Sequence, residues 1–214
     1  IGYIHNVLPP LPTEYFYRTG SPDQLIIHGE NQSKILKEHF LWPKEKIILS
    51  KSFGFSTENQ NDDYSYVYLP YEMSNYDLAI REFSNFIKNS HKNNYKTLKI
   101  KMHPANLNSA KNKKIKKKIE LILEQSSEVF SDKLFNEEIS VVFGASGLIL
   151  QSLEKGYKVI QVSSFPVLEV YGLWDDLVIE QISEYIYSYK LTKKSSYINF
   201  SKDNKYFNEY FYDY

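Results

Sequence analysis

From Tyr66 onward one pattern recurs along the chain: a short apolar run, a polar loop, then a segment with apolar residues at helical spacing. Tyr66–Leu69 reads as a strand, and Tyr76–Asn89 carries Leu78, Ile80, Phe83, Phe86 and Ile87 on one helical stripe. Leu98–Met102 predicts a second strand, and Lys111–Glu124 a helix with Ile115, Ile119 and Ile122 aligned. Val141–Phe143 is the next strand, followed by a helix over Leu148–Lys155 that Gly156 closes. Lys158–Val162 continues the series, and Leu177–Ile179 is its last strand, with a helix expected from about Ser183. Parallel strands cannot be joined by tight turns and need crossover helices, so this alternation predicts an α/β, Rossmann-like parallel sheet with helices on both faces. Ligands in such sheets sit at the carboxyl ends of the strands, which directs attention to the strand-to-helix loops.

The residues before Tyr66 follow a looser version of the same plan. A short strand near Tyr3–His5 leads into an extended segment rich in proline (Pro9, Pro10, Pro12, Pro22), since Pro fixes its own φ and biases its predecessor toward extended backbone. Gln24–His28 is a buried strand followed by Gly29, Asn31–Phe40 a helix that Trp42-Pro43 ends, and Lys46–Leu49 a further strand. Ser56–Ser65 contains no aliphatic residue and is the expected linker. The expected division is therefore residues 1–55 as the end of a preceding domain or a bridging segment, 56–65 as linker, and 66–214 as the Rossmann-like domain. The aromatic tail Tyr206–Tyr214 is expected to pack back onto the protein rather than stay exposed.

Composition excludes several functions. The 26 basic residues balance 26 acidic ones, and only Arg18 and Arg81 are arginines, which argues against a protein that grips nucleic acid. Cysteine is absent, so disulfides, thiolate metal sites and a Cys nucleophile are excluded, in keeping with a reducing, cytoplasmic compartment. The apolar stretch Ile139–Leu150 is interrupted by Ser140, Gly144, Ser146 and Gly147, well short of the roughly 18 apolar residues that cross a bilayer. Lys111–Lys118 holds six lysines. With Ile115 and Ile119 at helical spacing it reads first as a solvated helix face, and second as a surface for peripheral contact with an anionic membrane face or an acidic glycan.

Three loops offer chemistry. In Lys101-Met102-His103-Pro104, strand alternation puts Lys101 and His103 on one face while Pro104 stops the strand, an arrangement suited to an anionic ligand and to a leaving phosphate. Gly144-Ala145-Ser146-Gly147 lies between a strand and a helix, where small residues let a ligand approach the backbone and Ser146 adds a hydroxyl. It is neither a GxGxxG fingerprint nor a P-loop, and no His follows His103 to complete a serine-hydrolase triad. Ser146 would serve equally as a helix cap. Ser163, in Val162-Ser163-Ser164-Phe165-Pro166, reads either as part of the same cleft or as an ordinary polar turn.

These motifs carry a resemblance. K-x-H-P at Lys101–Pro104, upstream of the small-residue loop Gly144–Gly147, then E-K-G at Glu154–Gly156 and the strand VIQV, resembles the C-terminal half of GT-B glycosyltransferases. More narrowly it is similar to the bacterial sialyltransferase and polysialyltransferase group and to related capsule and lipopolysaccharide biosynthesis proteins, marked by an HP motif and a Ser-Ser/Thr motif. Gly2–His5 and Pro22–Glu30 resemble the end of the N-terminal domain in such proteins. The resemblance implies that His103 contacts the donor phosphate and assists departure of the nucleotide, that Pro104 helps form the base pocket, and that Ser146 is a phosphate ligand. The family's second hydroxyl falls on Gly147, a departure. Its ribose-binding acid falls on Glu137 or Glu138. The implied reaction is metal-independent, inverting transfer of a sugar, sialic acid in that group, from a nucleotide-sugar donor (CMP-linked) to a cell-surface glycan acceptor. No Asp-x-Asp metal pair is present, since Asp62-Asp63 and Asp175-Asp176 are adjacent residues whose side chains diverge on a strand. No other cofactor is implied. The general base lies in an N-terminal half expected to precede Ile1. A glycerophosphotransferase of teichoic-acid type, and a non-catalytic nucleotide- or sugar-binding domain, stay open as alternatives.

Overall fold

The computed structural model describes residues 1–4, 13–50, 66–70, 75–89, 98–107, 109–125, 139–169 and 176–192. The expected linker Ser56–Ser65, the tail Tyr206–Tyr214, Glu137 and Glu138 lie outside them. The chain divides into two compact units, and the division is not a single cut: Val167–Asp176 groups with Ile1–Asn61, while Leu177–Thr192 groups with Asp62–Pro166.

In the first unit the strands β1 (Gly2–Tyr3), β2 (Leu25–Ile27) and β3 (Ile47–Leu49) form a parallel sheet in that order. Helix α1 (Glu30–His39) makes the crossover between β2 and β3. Ile4, Leu25, Ile27, Ile35, Leu36, Phe40 and Trp42 form the core. The indole N–H of Trp42 donates to the Tyr15 carbonyl at 2.6 Å, which satisfies the one polar atom of an otherwise buried side chain.

The second unit is built on a sheet of six strands in the order β5-β4-β6-β7-β9-β8. They are β4 (Tyr66–Leu69), β5 (Lys99–Met102), β6 (Ile139–Phe143), β7 (Lys158–Val162), β8 (Leu177–Ser183) and β9 (Ile186–Leu191). The first four pair in parallel, as the alternation with α2 (Tyr76–Asn89), α3 (Ala110–Gln125) and α4 (Leu148–Glu154) requires. Helix α2 buries Tyr76, Ala79, Ile80, Phe83 and Ile87, and α3 buries Ile115, Ile119 and Leu123, each set at spacings of three and four that face one side. These side chains meet Val67, Leu69, Val141, Phe143, Ile160 and Val162 in one core. Helix α4 packs on β6, β7 and β9. Gly156 ends α4 at φ 86°, donating its N–H to Leu153 while Tyr157 N–H reaches Ser152, so the glycine does cap the helix in the left-handed conformation.

The helix expected from about Ser183 is a correction. Residues 177–191 form an antiparallel hairpin, β8 with β9, and β9 also pairs antiparallel with β7. The run Ile186-Tyr187-Ser188-Tyr189 alternates β-branched and aromatic residues with a small one, and all four are buried. Burial of two successive faces is possible in a strand inside a sheet and not on one stripe of a surface helix.

Phe83 is fully buried and meets the Phe143 ring edge-on, with centroids 5.3 Å apart. Phe83→Ala should destabilise the second unit by about 3–5 kcal/mol, the usual cost of a cavity left by a buried aromatic ring, read as a shift of the denaturant midpoint.

Candidate functional site

The strand order places a reversal at β4. The chain leaves β4 for β5 on one side and afterwards crosses to β6 on the other. Neighbouring strands β4 and β6 therefore send their following helices to opposite faces, which opens a crevice beyond their carboxyl ends. A cavity of about 460 Å³ occupies this position, lined by Leu69 and Pro70 around the end of β4, by Lys101, His103, Pro104 and Leu107 around the end of β5, and by Phe143, Ser146 and Leu148 around the end of β6.

The β5 loop is tied to the end of β4. His103 N–H donates to the Leu69 carbonyl at 3.1 Å, and the buried Asn106 side-chain amide donates to the Pro70 carbonyl at 3.2 Å. The Tyr76 hydroxyl reaches that carbonyl at 3.5 Å, and burial pushes this phenol up from its ordinary pKa, so it stays a neutral donor. His103 heads a short 3₁₀ turn, Pro104–Asn106, and its Nδ1 accepts the Ala105 N–H at 3.3 Å. With Nδ1 accepting, the neutral ring carries its proton on Nε2, the nitrogen turned away from this turn.

Lys101 lines the same cavity, but its ammonium lies 3.7 Å from the centroid of the Tyr66 ring. Tyr66 begins β4, whereas the register partner of Lys101 is Tyr68, so this cation–π contact draws the charge back from the strand end where His103 sits.

The β6 loop turns at Gly144, where φ is 75°. Its N–H donates to the Val162 carbonyl at 2.9 Å, and its carbonyl accepts from the Gln161 side-chain amide at 3.0 Å. Ser146 Oγ accepts the Leu148 N–H at 3.3 Å, so Ser146 does serve the head of the seven-residue helix α4. Its hydroxyl proton remains for a second bond, and the side chain lines the cavity.

Lys101, His103, Pro104 and Ser146 thus come together from two loops. Gly144, Ala145 and Gly147 shape the turn without lining the cavity. Ser163 does not join them: it is buried, its N–H donates to the Tyr185 carbonyl, and its hydroxyl accepts the Phe165 N–H in a tight turn. Sequence reasoning missed Asn106, Pro70 and the apolar wall of Leu107 and Leu148. No local signal pointed to Asn106, because its side-chain bond to the Pro70 carbonyl spans 36 positions of the chain.

The chain matches no family model, no curated protein and no solved structure. Among the described residues no helix is long and apolar enough to cross a membrane, and no three His, Asp or Glu side chains gather into a metal-binding group.

A Cβ built on Gly144 would meet only the Pro70 ring, with Cγ at 3.5 Å and Cβ at 3.8 Å, so Gly144→Ala adds backbone strain without a clash. The expected cost is about 1–2 kcal/mol, that of an L-residue in the left-handed region, seen as a lower melting temperature with an unchanged circular dichroism spectrum.

Proposed function

We propose that this chain is the donor-binding half of a GT-B-like glycosyltransferase, which moves a sugar from a nucleotide-sugar to a bacterial cell-surface glycan. One observation carries the reading: His103 and Ser146, from separate strand-to-helix loops, line a single cavity at the strand-order reversal. Its volume is that of a small-molecule site, and its walls are mainly apolar with a few convergent polar groups. The nucleotide base and ribose take the apolar wall, and the phosphate takes the Ser146 hydroxyl and His103 Nε2–H.

In the transfer, the bond from the anomeric carbon to the phosphate oxygen breaks as the acceptor oxygen bonds to that carbon from the opposite side. The acceptor proton passes to a base outside the described residues. Negative charge grows on the departing phosphate, where donors already in place stabilise the transition state more than the ground state. His103 meets this need by donating its Nε2 proton into a hydrogen bond. A CMP-linked donor, sialic acid as the sugar and a cytoplasmic setting belong to the same reading. So does a role for the exposed Lys111, Lys113, Lys114 and Lys117 of α3 against an anionic membrane face.

CMP at millimolar concentration should raise the melting temperature, since a ligand of the folded state alone stabilises it by mass action. Silence toward CMP, UMP and GMP alike would remove the donor site. Ser146→Ala should weaken CMP binding by about 1–3 kcal/mol, the range for a hydrogen bond to a charged group, while Ser163→Ala leaves it unchanged. Protection by a CMP-sugar but not by CDP-glycerol separates sugar transfer from glycerophosphate transfer. In the full-length protein assayed with a nucleotide-sugar, His103→Ala should lower kcat by about 10²-fold or more with a smaller change in donor KM. A raised KM at unchanged kcat would make His103 a ground-state contact only.

A further inference from the structure

Behind the Gly144 turn, on the side of the sheet away from the α2–α3 core, runs a buried chain of hydrogen bonds. The Tyr189 hydroxyl donates to Gln161 Oε1, and Gln161 Nε2 donates to the Gly144 carbonyl at 3.0 Å. Tyr189 and Gln161 are both fully buried. Val159 is the register partner of Tyr189, so Gln161 lies diagonally across from it on the same face of the β7–β9 pair. The tyrosine comes from β9, a strand that joins this sheet antiparallel and lends no residue to the cavity.

A buried side-chain amide is held to one orientation only when both its ends are satisfied. Tyr189 donates to Oε1, which turns Nε2 toward the turn; without that hydroxyl the amide loses a bond that fixes its direction. The carbonyl it holds belongs to the one residue of the loop in the left-handed region, where the chain bends toward Ser146. We propose that Gln161 and Tyr189 are positioning residues: they hold the Gly144 peptide so that the Gly144–Ser146 turn keeps its ligand-ready shape before any ligand arrives. The consequence for affinity rests on the donor-site reading above; the holding of the turn does not.

Two measurements on Tyr189→Phe test this, with Tyr187→Phe as a control. Tyr187 is the neighbouring tyrosine of the same strand, and its hydroxyl accepts from the Gln181 side-chain amide at 3.4 Å. In the absence of ligand, the Leu148 and Ile149 amides, which bond to Ser146, should exchange with solvent about tenfold faster in Tyr189→Phe. Those of Tyr66–Leu69 should keep the wild-type rate, and Tyr187→Phe should change neither set. CMP affinity, measured well below the melting temperature, should fall about three- to tenfold in Tyr189→Phe alone. Unchanged exchange at 148–149, or acceleration spread evenly over the sheet, overturns the proposal, because a merely structural tyrosine loosens everything alike. If wild-type protein ignores CMP, the donor reading fails while the exchange result still decides the relay. Should Tyr189→Phe not fold, Gln161→Met, which keeps the side-chain volume and removes only the amide, carries the same exchange test.

Discussion

Strand β4 pairs in parallel on both sides at once, and the remainder of the second unit depends on those two registers. Val67 sits opposite Ile100 on β5 and opposite Val141 on β6, and it is fully buried. The pairing of Leu69 with Met102 leaves His103 one residue beyond the ladder, where its N–H takes the Leu69 carbonyl. A slip of one residue would turn Lys101 to the apolar face and Met102 to the other, which burial of the α2–α3 core forbids. Because the chain leaves β4 to one side and returns on the other, the same pairing that builds the core also opens the crevice.

The two faces of this sheet are chemically unlike. Val67, Leu69, Val141, Phe143, Ile160 and Val162 give the α2–α3 face a dry core, held by burial of apolar area. By strand alternation the opposite face carries the buried Val142 and Val159 and, among them, Ser140, Gln161 and Tyr189, together with the Tyr66 ring that holds the Lys101 ammonium. The Gly144 turn is the place where a side-chain bond from that opposite face reaches a loop carbonyl.

The parallel core was legible because its signal is periodicity: apolar stripes at three and four residues in α2 and α3, and the short apolar runs Val141–Phe143 in β6 and Val159-Ile160 in β7, each survive in the sequence as a one-dimensional pattern. In the β8–β9 hairpin the strand at Leu177–Ile179 was legible, but its continuation and β9 were not, because their order comes from antiparallel pairing and Ile186–Tyr189, buried on both faces, carries no alternating stripe. Strand-end position drew attention to His103 and Ser146, and both line the same cavity. It could not separate Ser146 from Ser163, since both follow a strand and both accept a hydrogen bond from the backbone two residues on.

By itself the amino-acid order determined the alternation of strands and helices, the stop at Pro104 and the flexible bend at Gly144, each a local consequence of side-chain spacing or of a single residue's allowed dihedrals. Tertiary structure alone decided which serine faces the cavity, where the Lys101 charge rests, and that Gln161 and Tyr189 stand behind the turn. The physical reason is distance along the chain. Those relations join residues from different strands, and only the order and register of the assembled sheet bring their atoms within hydrogen-bonding reach.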